Sequence, residues 1–215
     1  SMAGIIESTI AAYNKFIDEQ KKEKGKLTFS LYEFNNTYPI MHNWQLLPSN
    51  PSEDKPSRML MIHEFVDIKE IPPLTDKTYR PFTNTPLCDV VASAIDKTGE
   101  LLNNIPEAIR PGKVLFVILT DGYENSSVIH NRETVKVKVE HQTQKYNWAF
   151  TFLGANMDAV AEGALYGITR NSSMTFNTVK MGETIGLMSA TVSNYRSAAV
   201  GAAYAYDDKD REKVV

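Results

Sequence analysis

The sequence predicts an α/β protein: a three-layer, doubly wound, mostly parallel sheet with helices on both faces and one antiparallel edge strand. Two observations carry this. The run Val114-Leu115-Phe116-Val117-Ile118-Leu119 is apolar on every side, and a strand with no polar face has to be covered on both, as central parallel strands are. Runs of this kind alternate along the chain with stretches whose apolar residues have helical spacing, the order from which parallel sheets are wound.

From the N-terminus, Ile6, Ile10, Tyr13 and Ile17, with Ile5 and Phe16 beside them, share one helical face. The mixed charges of residues 19–26 form a solvated helix end, and Gly25 suits a left-handed stop. Residues 27–34 read as a strand apolar on both faces. Asn35-Asn36 signals a turn, and residues 38–46 are expected to return as the antiparallel edge strand, where Pro39 is tolerable. Residues 48–58 hold three prolines and mixed charge and form a surface loop, and residues 59–66 form a further strand. Thr85-Pro86 opens a helix on Leu87, Val90, Val91, Ala94 and Ile95 that runs to about Asn103, with the threonine as cap and the proline in the first turn.

One segment pits local against global preference. Thr134-Val135-Lys136-Val137-Lys138-Val139 alternates with period two and favours a strand. The strands at 114–119 and 148–153 are expected to be parallel neighbours, however, and need a right-handed crossover between them. Val135 and Val139 lie four apart, so the segment is assigned as helix. Residues 174–176 form a last short strand, 182–197 a helix, and the charged residues 207–215 a frayed tail beyond a single domain at 1–206.

Composition narrows the function. Of 215 residues, 42% are hydrophobic and 23% charged, which supports a globular core and excludes wholesale disorder. A net charge of −3 without a basic stripe argues against a nucleic-acid partner. The single cysteine, Cys88, excludes an internal disulfide and a Cys-rich zinc site, and it sits on the Leu87 helix as a small core residue. No apolar run approaches the roughly 18 residues of a membrane span, and no leader pattern opens the chain, so a reducing cytoplasm without membrane attachment is expected. His42, His63, His130 and His141 lack metal-ligand spacing, and neither a phosphate loop nor a Gly-x-Ser-x-Gly elbow is present.

The most informative stretch is Thr120-Asp121-Gly122-Tyr123-Glu124-Asn125, directly after the most apolar strand. Ligands of open parallel sheets bind at the carboxyl ends of the strands. An aspartate there, followed by a glycine that lets the backbone turn, is placed to face a cation; alone, it is equally a loop cap bonding local amides. Thr85, in another strand-end loop, offers a neutral hydroxyl, and Ser1 opens the first helix. Such oxygens are the ligands of Mg²⁺ or Mn²⁺ rather than of zinc or copper.

These residues resemble von Willebrand factor type A (vWA) domains of the small intracellular kind found in bacteria and their viruses. That family carries a metal-ion-dependent adhesion site (MIDAS) built from an Asp-x-Ser-x-Ser loop, a threonine in a second loop and an aspartate in a Thr-Asp-Gly-like third. Thr85 in Thr85-Pro86-Leu87-Cys88-Asp89 matches the second loop and Asp121 in Leu119-Thr120-Asp121-Gly122 the third. Ser1-Met2-Ala3-Gly4 looks like the end of Asp-x-Ser-Gly-Ser-Met, which makes Ser1 the last serine of the first loop. The likeness continues through Phe152-Leu153-Gly154-Ala155-Asn156 and Asn194-Tyr195-Arg196.

The family's first, central strand and the Asp-x-Ser half of its loop are absent from these residues. Either the chain is truncated at its start, or a partner supplies the strand, or the fold closes the gap by joining 27–34 to 114–119 directly or by inserting 59–66. Strand donation would make an oligomer of the chain. The resemblance implies a metal-dependent protein-interaction module, with Ser1, Thr85 and Asp121 on the ion and a partner's Asp or Glu completing its coordination. Two alternatives stay open: a metal-assisted hydrolase using Asp121 with Glu124 as ligand or base, and a metal-free structural or assembly protein.

Overall fold

A computed structural model describes residues 6–35, 44–46, 58–79 and 84–215. Ser1 lies outside them. The chain is α/β, with one antiparallel and one parallel sheet of three strands each.

Helix α1 (Ile6–Lys22) buries Ala12, Phe16 and Ile17, as the spacing predicts, together with Thr9 and Gln20. The chain then turns at Gly25, whose φ of 88° is the left-handed conformation that glycine adopts without strain. Strand β1 (Thr28–Asn35) follows, then β2 (Trp44–Leu46) and β3 (Arg58–Asp67), in the sheet order β1-β3-β2. The antiparallel partner of β1 is therefore β3, not the expected return over 38–46. Of that return only Trp44–Leu46 is a described strand, and it pairs with the far edge of β3. The ten residues of β3 match nearly all of β1 without a proline and so offer the longer ladder.

The parallel sheet holds β4 (Leu115–Thr120), β5 (Ala149–Ala155) and β6 (Ser173–Phe176) in that order. The segment of contested preference is helix α3 (Arg132–Tyr146), which links β4 to β5 and buries Val135 and Val139. Helix α2 (Leu87–Asn103) precedes β4, α4 (Ala159–Leu165) links β5 to β6, and α5 (Met181–Ser197) follows. The buried centre is β5. Phe150 and Phe152 enter one core cluster with α2 and α3, and Leu153 and Ala155 enter another with α1 and α5.

Two expectations are corrected here. Strand β4, expected at the centre, stands at an edge of its sheet, and Val117 is 40% exposed. One continuous sheet is likewise not found, because among the described residues no backbone hydrogen bond joins β1 to β4 and β3 occupies the other side of β1. The tail also departs from expectation. In place of a frayed end, Asp208–Val214 forms helix α6, capped by Asp207 and laced by the i,i+3 pairs Asp208–Arg211 and Asp210–Lys213. Its Val214 is fully buried, and the Val214 carbonyl accepts from Asn177 N–H at 2.8 Å. Among the described residues no helix is long and apolar enough to cross a membrane.

Candidate functional site

The entry to α2 is built differently from the sequence expectation, and the difference frees Thr85. Helix α2 begins at Leu87 with Pro86 in the cap position, which makes no side-chain cap. The first amides of a helix have no intrahelical acceptor, and here the loop after β4 supplies one for two of them. Cys88 N–H donates to Glu124 Oε2 at 2.7 Å and Asp89 N–H to Ser127 Oγ at 3.0 Å. The exchange runs both ways. The Asp89 carboxylate, wholly buried, accepts from Val128 N–H at 2.8 Å, Ile129 N–H at 3.0 Å and His130 N–H at 2.6 Å. Two acids thus lock the start of α2 onto the loop 121–131.

Glu124 is fully engaged in this lock. Besides Cys88, its carboxylate accepts from the amides of Ser126 and Ser127, each at 2.8 Å, and from Ser127 Oγ at 2.7 Å. Burial by itself would raise the Glu124 carboxyl, but the hydrogen bonds from Cys88, Ser127 and Ser126 outweigh it and hold the group below the ordinary glutamate range. A carboxyl lowered by folding adds stability above its unfolded pKa and loses it as pH falls through the folded one. Urea midpoints measured from pH 6 downward should therefore drop once pH passes below about 4.3, the unperturbed glutamate value. The Glu124→Gln variant should start lower and follow a flatter profile, and parallel profiles for the two proteins would contradict this account.

The lock brings Thr85 against the Asp121-Gly122 turn at the carboxyl end of β4. Thr85 N–H donates to Asn125 Oδ1 at 2.8 Å, and Asn125 N–H returns a bond to the Thr85 carbonyl at 3.2 Å. The Thr85 hydroxyl then lies so close to Gly122 that a Cβ there would stand 2.6 Å from Oγ1. Glycine is required at this position by proximity. Thr120 Oγ1 fixes the same turn, donating to the Gly122 carbonyl at 2.9 Å and accepting from Gly122 N–H at 3.1 Å. Among the described residues the Asp121 carboxylate accepts no hydrogen bond, unlike Asp89 and Glu124 beside it.

Burial pushes the Tyr79 phenol up, the charges of Glu33 and Asp121 push it further, and a hydrogen bond with Thr9 works against both. Tyr79 thus bonds to Thr9 of α1 and feels the charges of Glu33 and Asp121. Cys88, behind the lock, is 1% exposed, and burial together with the Glu124 charge pushes its thiol up to about 12. It is a core residue, as expected.

Of the three site residues expected from the sequence, Thr85 lies against Gly122, the residue after Asp121, and Ser1 lies outside the described residues. The sequence reading missed Asp89, Ser127, Tyr79 and Glu33. Asp89 left a usable signal, being an acid in the first turn of a helix between Leu87 and Val90, where the orphan amides favour negative charge. Tyr79 left none, because only the tertiary fold carries it to the strand ends. Among the described residues no group of three or more His, Cys, Asp or Glu side chains is arranged to hold a metal ion. Comparison of the chain with protein-family models, curated proteins and solved structures finds no match.

Proposed function

We propose that the chain is a divalent-metal-dependent protein-interaction module of the vWA type with a three-layer fold. In this reading Thr85 Oγ1 and the Asp121 carboxylate hold Mg²⁺ or Mn²⁺, with Ser1 as a further ligand. The observation that carries it is the pairing of the Thr85 hydroxyl with the Asp121-Gly122 turn, next to an aspartate that accepts no protein hydrogen bond among the described residues. The donor chemistry suits a hard ion, since both groups are oxygens and one is charged. Such ions take about six oxygens, so water and a partner would have to supply the rest. One carboxylate leaves the ion with positive charge, and an Asp or Glu from a protein partner is the natural complement. A cytoplasmic setting without nucleic acid or membrane completes the proposal.

Calorimetry with Mg²⁺ and with Mn²⁺ tests it. The wild type is expected to give a weak binding heat that Asp121→Ala abolishes and Thr85→Ala reduces; equal heats from wild type and Asp121→Ala would remove Asp121 as a ligand. A metal-free structural role is the second reading, favoured by the lock of Asp89 and Glu124, which fixes both loops with no ion. The hydrolase reading draws no support from Glu124, whose two oxygens already accept four hydrogen bonds.

A further inference from the structure

A cleft of about 310 Å³ lies between the end of α5, the 198–205 stretch and the start of α6. Two buried tyrosines, Tyr195 and Tyr204, line it with their rings edge to face, the centroids 5.7 Å apart. Tyr204 is fixed at two points. Its hydroxyl shares a hydrogen bond of 2.9 Å with that of Tyr206, which continues to Thr151 Oγ1 at 3.0 Å, and its carbonyl accepts from Ser172 Oγ at 2.7 Å. Tyr195 is only 6% exposed, yet its hydroxyl makes no hydrogen bond among the described residues, and burial alone pushes its phenol up. Buried polar groups are normally bonded, so an unspent hydroxyl on a cavity wall marks a place where a ligand can bond.

The rim of the cleft is acidic. Asp207, which caps α6, and Asp210 in its first turn lie three apart on one helical face. Each commits one oxygen: Asp207 Oδ1 accepts from Lys209 N–H at 2.8 Å, and Asp210 Oδ1 from Lys213 Nζ at 2.6 Å. Among the described residues both Oδ2 atoms, and the side-chain amide of Asn194 on the α5 wall, remain unbonded. Two cations stand nearby. Lys213 is a largely exposed partner of Asp210, in a pair of the kind that contributes little. Lys113 Nζ, 5.2 Å from the Tyr195 ring centre, is committed to the carbonyls of Tyr195, Arg196 and Ala198. Ala198, Ala203 and Ala205 complete the wall without a polar side chain.

We propose that this cleft binds an alkylguanidinium group, carried by a small free molecule or by an arginine side chain of another polypeptide. A guanidinium is flat and weakly hydrated, presents its donors as a fork and stacks on aromatic rings. The cleft matches each property: two carboxylate oxygens, the Tyr195 hydroxyl and the Asn194 carbonyl to accept the donors, tyrosine rings for the plane, and alanines for the alkyl stem. A compact, strongly hydrated ammonium would use fewer of these acceptors. The volume falls at the small end of the roughly 300–1,000 Å³ of ligand sites, as a ligand of few atoms requires. Lys113, which holds this end of α5, precedes β4, whereas Asp121 follows it. The cleft therefore lies toward the opposite end of that strand from Asp121, and it stands whether or not Asp121 holds an ion.

Titrating the full chain with n-butylguanidinium tests this, with n-butylurea as the neutral control of the same shape. Read by amide NMR shifts, the cation should move the signals around Tyr195, Tyr204 and Asp210 and bind at least about tenfold tighter than the urea. Tyr195→Phe removes only a hydroxyl that bonds nothing within the described residues, and should weaken binding about fivefold, the scale of one hydrogen bond. Asp210→Asn gives up no more than an exposed ion pair in the fold, and should weaken binding about tenfold. Shifts confined to other regions, equal binding of the urea, or an unchanged affinity in either variant overturns the proposal. The blocked tripeptide acetyl-Gly-Arg-Gly-amide separates the two sources: binding as tight as that of butylguanidinium assigns the group to a polypeptide, and much weaker binding assigns it to a free molecule.

Discussion

Asp89→Ala is expected to destabilise the protein by roughly 2–4 kcal/mol, a large share of the 5–15 kcal/mol typical of a domain. Three backbone amides, those of Val128, Ile129 and His130, converge on this one wholly buried carboxylate. Alanine deletes the acceptor and leaves the donors to find water at a partly buried loop, and it removes the negative charge from the first turn of α2 as well. Asp89→Asn keeps one carbonyl oxygen but turns an amide donor toward a backbone donor, so it should fall between wild type and alanine. Urea unfolding reads the effect as a lower midpoint with an unchanged slope. A shift of less than about 0.5 kcal/mol, the scale of an ordinary surface substitution, would show that the loop holds without Asp89.

Ending the chain at Tyr206 should cost a similar amount, roughly 2–4 kcal/mol from the burial of one valine and the loss of a few partly buried hydrogen bonds. Val214 leaves a core cluster that includes Met174, Phe176 and Met181, and Asn177 N–H loses its acceptor. Lys180, which donates to the carbonyls of Lys213 at 2.9 Å and Val215 at 2.7 Å, is released at the start of α5. Thermal unfolding of the shortened chain should show a melting temperature several degrees lower. An unchanged melting curve would mean that α6 rests on the surface without contributing.

The contrast between these two regions shows what the sequence could reveal. Where burial left a periodic mark, the reading held, as in α1 and in α3, whose valines were assigned to a helix against their own propensity because the crossover required it. Thr85 and Asp121 were singled out because strand-end loops collect ligands, and the structure places the Thr85 hydroxyl against Gly122. The tail was misjudged because seven of its nine residues are charged and its one decisive contact, Val214, lies at the far end. The lock was missed because Glu124 and Asp89 each look like ordinary loop and helix acids, and their roles come from backbone amides some 36 to 41 positions away. For β4, apolarity on all sides demanded cover on both faces, yet one face is only partly covered, with Val117 40% exposed. Lateral pairing is a separate requirement, and composition carries no trace of it.

The position of the single cysteine gives the lock a direct readout. Thiol reagents attack the thiolate, and a thiol buried behind Glu124 with its pKa pushed up to about 12 is nearly inert in the closed state. Labelling at neutral pH therefore proceeds only through excursions in which the start of α2 parts from the loop after β4. With one cysteine per chain, the labelling reports this single site. The labelling rate, divided by that of an open thiol, gives the equilibrium for local opening, separate from global unfolding. Cys88 thus serves as a built-in clock for the breathing of the loop that presents Thr85 and Asp121.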